Sequence, residues 1–303
     1  MWTPYAALLA VSERNRAFHA ENHQDRRDDS IRGTRDMNAL RFTKIEGTGN
    51  DFILFDNNNG FFKGDERDFF ARICARRTGV GADGILLIQE GDQSPVRMRY
   101  YNSDGKIAEM CGNAARCAAY YAYHHNIVDT SEFMIQADDG LHLARVQRDI
   151  IEVEMVRPSD FETGLDIVHE AGMEEGGLVD TGVPHLVIFT DHVGEVDVEK
   201  TAPKYRFHSR FPDGVNVNFV QRMKQNQLQV RTYERGVEGE TLSCGTGCVA
   251  SALAAHRLSE YRSPVTVHTH GGDLSVRFDP EWSSVALSGP VHVIFDGLLH
   301  LTL

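Results

Sequence analysis

Glu109-Met110-Cys111-Gly112-Asn113-Ala114-Ala115-Arg116-Cys117 and Leu242-Ser243-Cys244-Gly245-Thr246-Gly247-Cys248 are two versions of one stretch. Each sets a Cys-Gly pair before an Ala-rich run, Ala118 to His125 in the first and Val249 to Leu258 in the second. These runs hold no Pro and few β-branched residues, so each stretch reads as a thiol at the start of a helix. At that end backbone N–H groups are unpaired and the macrodipole is positive. The position is expected to lower a thiol's pKa and favour thiolate near neutral pH, and it also suits an anion. Two such starts in one chain point to two thiols converging on one anionic substrate.

The flanks repeat as well. Asn102, closing Arg99-Tyr100-Tyr101-Asn102, lies nine residues before Cys111, and Glu234, closing Arg231-Thr232-Tyr233-Glu234, lies ten before Cys244. Beyond the helices, the run from Asp139 to Val146 matches the run from Gly271 to Phe278. A period of about 130 residues marks duplicated domains rather than a solenoid. Strands are expected over Arg41 to Ile45, Phe52 to Phe55, Ile85 to Ile88 and Val96 to Tyr101. Further antiparallel strands are expected over Phe133 to Ala137, Gly140 to Val146 and Ile150 to Val156. The second half offers Leu228 to Tyr233, a turn from Glu234 to Glu240, and strands Val265 to His268, Leu274 to Phe278 and Val285 to Leu287. An amphipathic helix is expected from Asp65 to Arg77, stopping before Gly79. The glycine-rich loop Gly79 to Gly84 reads as a turn, since it lacks the Lys-Ser/Thr ending of a P-loop and precedes a strand. The fold class is therefore α/β of the α+β kind, with two pseudo-symmetric halves facing a shared cleft.

At 303 residues the chain can hold two domains with their own cores. Apolar residues make up 41% and no apolar run nears the ~20 residues of a membrane span, so no membrane partner is expected. A net charge of −13 argues against a nucleic-acid partner. Five cysteines, an odd number, argue against a disulfide scaffold and for a reducing, cytoplasmic compartment. Their Cys-x5-Cys and Cys-x3-Cys spacings do not suit zinc, and no metal is expected. Residues 1–36 carry a short apolar piece without a basic flank, then mixed Arg, Asp and Glu. They suit neither a signal nor a transit peptide and are expected to be a disordered extension ahead of Met37.

Inverting a carbon stereocentre without a cofactor needs a base on one face and an acid on the other, which a thiolate and a thiol supply. Helix N-termini would hold the carboxylate and stabilise the carbanion. At this point the residues resemble the diaminopimelate epimerase family from Met37 to Leu303. The motifs are Gly49-Asn50-Asp51-Phe52, Gly79-Val80-Gly81-Ala82-Asp83, Tyr101-Asn102-Ser103-Asp104-Gly105, both Cys-Gly stretches, Pro184-His185, Val215-Asn216 and Tyr233-Glu234-Arg235-Gly236.

The resemblance implies that Cys111 and Cys244 are the acid/base thiols, with backbone N–H groups at Gly112-Asn113 and Gly245-Thr246 on the reacting carboxylate. Asn50, Asn102, Asn216 and Arg235 would hold the rest of an amino-acid substrate, Arg235 through its distal carboxylate. Glu234 and His185 would tune the thiols or orient the ammonium. No cofactor is implied, and a homodimer is compatible with the pattern. The implied fold is two antiparallel barrel-like sheets, each around a central helix: residues 37–155 with 291–303, and residues 156–290. The implied reaction converts LL-diaminopimelate to the meso form. Two positions depart from the family pattern. Val183 stands where many members have Asn, and Gly84 where some have Gln.

Taken alone, Cys74, Cys117 and Cys248 read as packing residues, and Asp83 and Asp104 as turn residues. A histidine or proline racemase on the same scaffold is the nearest competing activity, although Asn113 replaces the His expected after the first Cys-Gly of a proline racemase. A thiol redox protein would want Cys-x-x-Cys, which the chain lacks.

Overall fold

The computed structural model describes residues 39–108, 110–159, 161–165 and 175–301. The expected extension at 1–36 lies outside the described residues. Residues Arg41–Leu298 form one compact unit. The described residues beyond it are the outer ends of the first and last strands and residue 301.

The first half opens with a hairpin, β1 (Ala39–Gly47) and β2 (Asn50–Asp56), paired antiparallel. Its tip turns through positive φ, 53° at Thr48 and 84° at Gly49. Helix α1 (Arg67–Cys74) leads to β3 (Gly84–Gln89), parallel to β2. Strand β4 (Val96–Asn102) returns antiparallel, α2 (Gly112–His124) crosses over, and β5 (Glu132–Ala137) lies parallel to β4. Strands β6 (Gly140–Gln147) and β7 (Ile150–Glu154) complete an antiparallel meander.

The second half repeats the plan. After short β8 (Glu162–Thr163), β9 (Gly176–Asp180) pairs antiparallel with β10 (Pro184–Phe189). Helix α3 (Val198–Arg206) leads to β11 (Asn216–Arg222), parallel to β10, and β12 (Gln227–Glu234) returns. A small strand β13 (Gly239–Thr241) folds back on β12. Helix α4 (Gly245–Leu258) then leads to β14 (Val265–Thr269), parallel to β12, followed by antiparallel β15 (Gly272–Phe278) and β16 (Val285–Pro290). Strand β17 (His292–His300) pairs with β1.

The fold class is the expected mixed, sheet-dominated one with two repeated halves. The resemblance implied antiparallel sheets, but the strands are not antiparallel throughout. The pairings β2–β3, β4–β5, β10–β11 and β12–β14 are parallel. Each spans a helix, and a crossover returns the chain in its original direction. The halves join where β7 pairs antiparallel with β16, Val153 opposite Leu287. Helix α1 is shorter than expected, because Ala75 turns to extended backbone at ψ 120°.

Helices α2 and α4 sit inside two apolar clusters. Ala114, Ala115, Cys117, Ala118, Ala119 and Ala122 of α2 pack among Phe52, Leu54, Leu86 and Ile88. Val249, Ala250, Ala252, Leu253 and Ala254 of α4 pack among Val187, Val220, Leu228 and Val230. A helix buried all round is apolar all round, and small side chains let the strands close on it. Cys74, Cys117 and Cys248 are buried, as packing residues should be. Burial pushes the Cys74 and Cys248 thiols up to about 12, where neither ionises near neutral pH. No helix among the described residues is long and apolar enough to cross a membrane.

Candidate active site

Cys111 and Cys244 are the N-cap residues of α2 and α4, both extended, at φ −122° and −114°. The two helix starts touch. A Cβ on Gly245 would stand 3.8 Å from the Cα of Gly112, an ordinary van der Waals contact, and 2.9 Å from Leu287 Cδ2, a side-chain end that would have to shift. The Asn113 amide ties the starts together, donating from Nδ2 to the Ser243 carbonyl at 3.3 Å and to Asn50 Oδ1 at 3.3 Å. No side chain caps either helix, which leaves first-turn N–H groups to an anion.

The thiols are not the ready thiolates that a helix start alone suggests. Burial pushes the Cys111 thiol up, against the pull of the Ala114 and Asn113 N–H groups, and the Glu234 carboxylate adds to the rise. Cys244 is pushed well above its ordinary value, by burial first and then by Glu234, with the Thr246 hydroxyl and Gly247 N–H opposing. Desolvation thus outweighs the helix terminus in the free protein. Cys111 Sγ lies 3.7 Å from Asn50 Oδ1, and Cys244 Sγ 3.5 Å from Thr246 Oγ1. Glu234 bears on both thiols. Its own pKa is raised by burial, while hydrogen bonds from Thr241 and Cys244 partly offset the rise.

Asn50 is oriented by Asp83, which the sequence presented as a turn residue. Its Nδ2 donates to Asp83 Oδ2 at 2.8 Å, which leaves Oδ1 toward Cys111 and Asn113. Asp83 is held in turn by Arg76 at 2.7 Å, and Arg76 also grips Asp51, which pairs with the buried Lys44 at 2.6 Å. Lys44 donates to the Gly81 carbonyl, so the glycine loop is clamped from both sides. Buried Arg116 donates to the Gly112 carbonyl at 3.4 Å and to Thr48 Oγ1 at 3.0 Å, joining the hairpin tip to the Cys111 helix.

On the other half, Asn216 Oδ1 accepts from the Arg235 backbone N–H at 2.8 Å, and its Nδ2 donates to the Pro184 carbonyl at 3.2 Å. The Arg235 guanidinium donates to the Asp213 carbonyl at 3.4 Å. His185 is fully buried, and its ring bonds to Asn218 rather than to a thiol. Burial pushes its pKa down to about 3, so the ring is neutral. Asn102 ends β4 with its side chain exposed, and its backbone carbonyl accepts from Gly105 N–H in the hairpin turn. The two departures also find their places. Val183 lines a cavity of about 620 Å³ with Met110, Met155, Pro158, Thr181 and Thr246, beside the Cys244 helix start. At Gly84 a Cβ would lie 2.4 Å from the Tyr101 carbonyl oxygen, so a larger residue would force the backbone apart. Among the described residues no group of three or more His, Cys, Asp and Glu side chains could hold a metal ion.

Comparison with known proteins places the chain in a family. The sequence profile described as diaminopimelate epimerase matches residues 42–159 and 177–294, once in each half. The chain is 41% identical to a diaminopimelate epimerase of Methanocella arvoryzae over 276 residues, 86% of this chain and 97% of that one. It is 38% identical to a diaminopimelate epimerase of Aquifex aeolicus over 275 residues, 86% of this chain and 98% of that one. Among solved structures, a phenazine biosynthesis protein of the PhzF family from Bacillus anthracis superposes with a TM-score of 0.68 at 12% identity, covering 87% of this chain and 99% of that one. A hydroxyproline epimerase from Agrobacterium vitis superposes with a TM-score of 0.63 at 14% identity, covering 88% of this chain and 94% of that one. These structural likenesses speak for the fold alone. With the profile matched in both halves and identity near two in five over most of the chain, the protein belongs to the diaminopimelate epimerase family.

Proposed function

We propose that the protein interconverts LL- and meso-diaminopimelate by a two-base mechanism in which Cys111 and Cys244 act on opposite faces of one carbon. The observation that carries this is the meeting of two matching Cys-Gly helix starts, tied by the Asn113 amide to the Ser243 carbonyl. One sulfur, as thiolate, takes the proton from the α-carbon. The other, as thiol, gives its proton to the opposite face, and the electron pair left by the broken C–H bond forms the new one. The first-turn N–H groups of α2 and α4 suit the substrate carboxylate and the charge that develops beside it. Arg235, with Asn216 on its backbone, suits the distal carboxylate. Because burial keeps the thiols protonated in the free protein, the thiolate forms as the cationic substrate amine enters, and the thiol's proton passes to the Glu234 carboxylate, which is neutralised.

The two apolar clusters support a division into two halves with the last strand returning to the first, since Val291 packs in the first cluster and Leu287 in the second, although Met155 packs in the second cluster rather than the first. Five free cysteines suit a reducing, cytoplasmic setting, where the product would feed lysine and peptidoglycan synthesis.

The test is α-proton exchange in heavy water, followed by NMR with a panel of amino acids. Diaminopimelate should exchange and change configuration without added cofactor, and Cys111→Ala and Cys244→Ala should each abolish epimerisation. Exchange confined to a monocarboxylic amino acid would keep the two-thiol chemistry and remove diaminopimelate. Val183 gives that outcome its specific ground. Epimerisation at the wild-type rate by either alanine variant would overturn the two-base reading.

A further inference from the structure

Asn218 lies on β11 between His185 and the Cys244 helix, with no exposed surface. Its side chain makes three hydrogen bonds. Nδ2 donates to the Leu186 carbonyl at 3.0 Å, Oδ1 accepts from Thr232 Oγ1 at 3.0 Å, and Nδ2 lies 3.1 Å from His185 Nδ1. The Leu186 carbonyl can only accept, so the amide nitrogen must be the atom that faces it. That same nitrogen faces Nδ1, which must therefore be the acceptor. A neutral imidazole that accepts at Nδ1 carries its proton at Nε2.

His185 Nε2 is buried and has no partner in the protein. A buried donor left unpaired costs about 1–3 kcal/mol, so its retention calls for a use. The arrangement also reaches the Cys244 helix. A Cβ on Gly247 would come within 2.3 Å of Asn218 Oδ1 and 3.3 Å of Thr232 Oγ1. The glycine two residues after Gly245 thus makes room for Asn218 to sit against the first turn of α4.

We propose that Asn218 is a positioning residue for the epimerisation. It fixes His185 as the Nε2–H tautomer, so that the ring donates to an anionic group of the bound substrate and neither accepts from its ammonium nor acts as a base. This rests on the substrate reading above. Asn218 itself touches no reacting atom and works through the imidazole and the α4 start.

The experiment is ¹⁵N NMR of the histidine rings in the wild-type protein, with and without saturating diaminopimelate. The free protein should show His185 Nδ1 as the unprotonated nitrogen and Nε2 as the protonated one, and substrate should move the Nε2–H proton downfield. A ring with its proton on Nδ1, or an Nε2–H resonance unmoved by substrate, overturns the proposal. An Asn218→Asp variant turns the donor at Nδ1 into an acceptor. It should transfer the ring proton to Nδ1 and lower kcat/KM at least about tenfold. Unchanged ring shifts and unchanged kcat/KM in that variant also overturn the proposal. The wild-type spectrum decides the tautomer whether or not the variant folds. If the wild-type protein leaves diaminopimelate untouched, the substrate assignment fails and the free-protein spectrum still tests Asn218. If it turns over diaminopimelate with Nδ1 protonated, this inference fails alone.

Discussion

A cysteine at a helix start is usually read as an activated thiol, and here the reading holds for position but not for charge. Burial and Glu234 raise both Cys111 and Cys244. Since kcat/KM reports the free enzyme, thiolate formation should limit it, and it should still be rising at about pH 8.5, the ordinary thiol value. A profile already flat from pH 7 upward would show that one thiol is ionised in the free protein. Arg235 allows a second prediction. A planar guanidinium pairs with a carboxylate through two parallel bonds and an ammonium does not. Arg235→Lys should lower kcat/KM at least about tenfold, the equivalent of ~1.4 kcal/mol. An unchanged kcat/KM would remove Arg235 from the site.

The elements that the sequence showed clearly are those with one dominant period and clean ends. The Ala-rich helices and the strands around them fall close to their expected bounds. What escaped lies mainly between residues 156 and 227. Strand β11 is buried at Asn216, Val217, Asn218, Phe219 and Val220, so no alternation marks it. Helix α3 carries Pro203 inside, which reads as a break, although Asp197 caps its start. Strand β13 overlaps the end of what reads as a turn from Glu234 to Glu240, and Thr241, the partner of Glu234, lies just past that turn. Asp83 and Asn218 escaped because an Asp in a glycine loop and an Asn in a strand carry no local signal. Only their partners reveal them. The hairpin tip gives the element-scale prediction. A Cβ on Gly271 would lie 1.8 Å from the Thr48 carbonyl oxygen, and one on Gly49 would lie 3.0 Å from Leu242 Cβ. Gly271→Ala must push the tip away and carry Asn50 with it. Urea unfolding should show a loss of about 1–3 kcal/mol, with kcat/KM falling alongside. Equal stability in the two proteins would mean that the tip is not wedged there.

At the scale of the molecule, the duplication returns at the seam between the halves. Arg145 on β6 and Arg277 on β15 occupy matching positions in the repeat, and both grip Glu152 on β7, at 2.9 and 2.6 Å. Burial works against the Glu152 carboxylate, but the hydrogen bonds from Arg277 and Arg145 outweigh it and hold its pKa below the usual value. A depressed carboxylate stabilises the fold above its unfolded pKa of 4.5 and loses that contribution as pH falls through its folded value. The arginines are partly exposed, so Glu152→Gln should cost only about 1 kcal/mol at pH 7. The difference from wild type should shrink as pH falls below 4.5, and a gap that stays constant into acid would dismiss the charge as its source. The same seam passes the chain onward, since β17 leaves β16 and returns to pair with β1, bonding Thr43 to Asp296 at 2.6 Å, while Val291 and Val293 fill the first core. During synthesis, then, the half that leaves the ribosome first is the half finished last. It must wait, its core short of Val291 and Val293, until every strand of its sibling has been made.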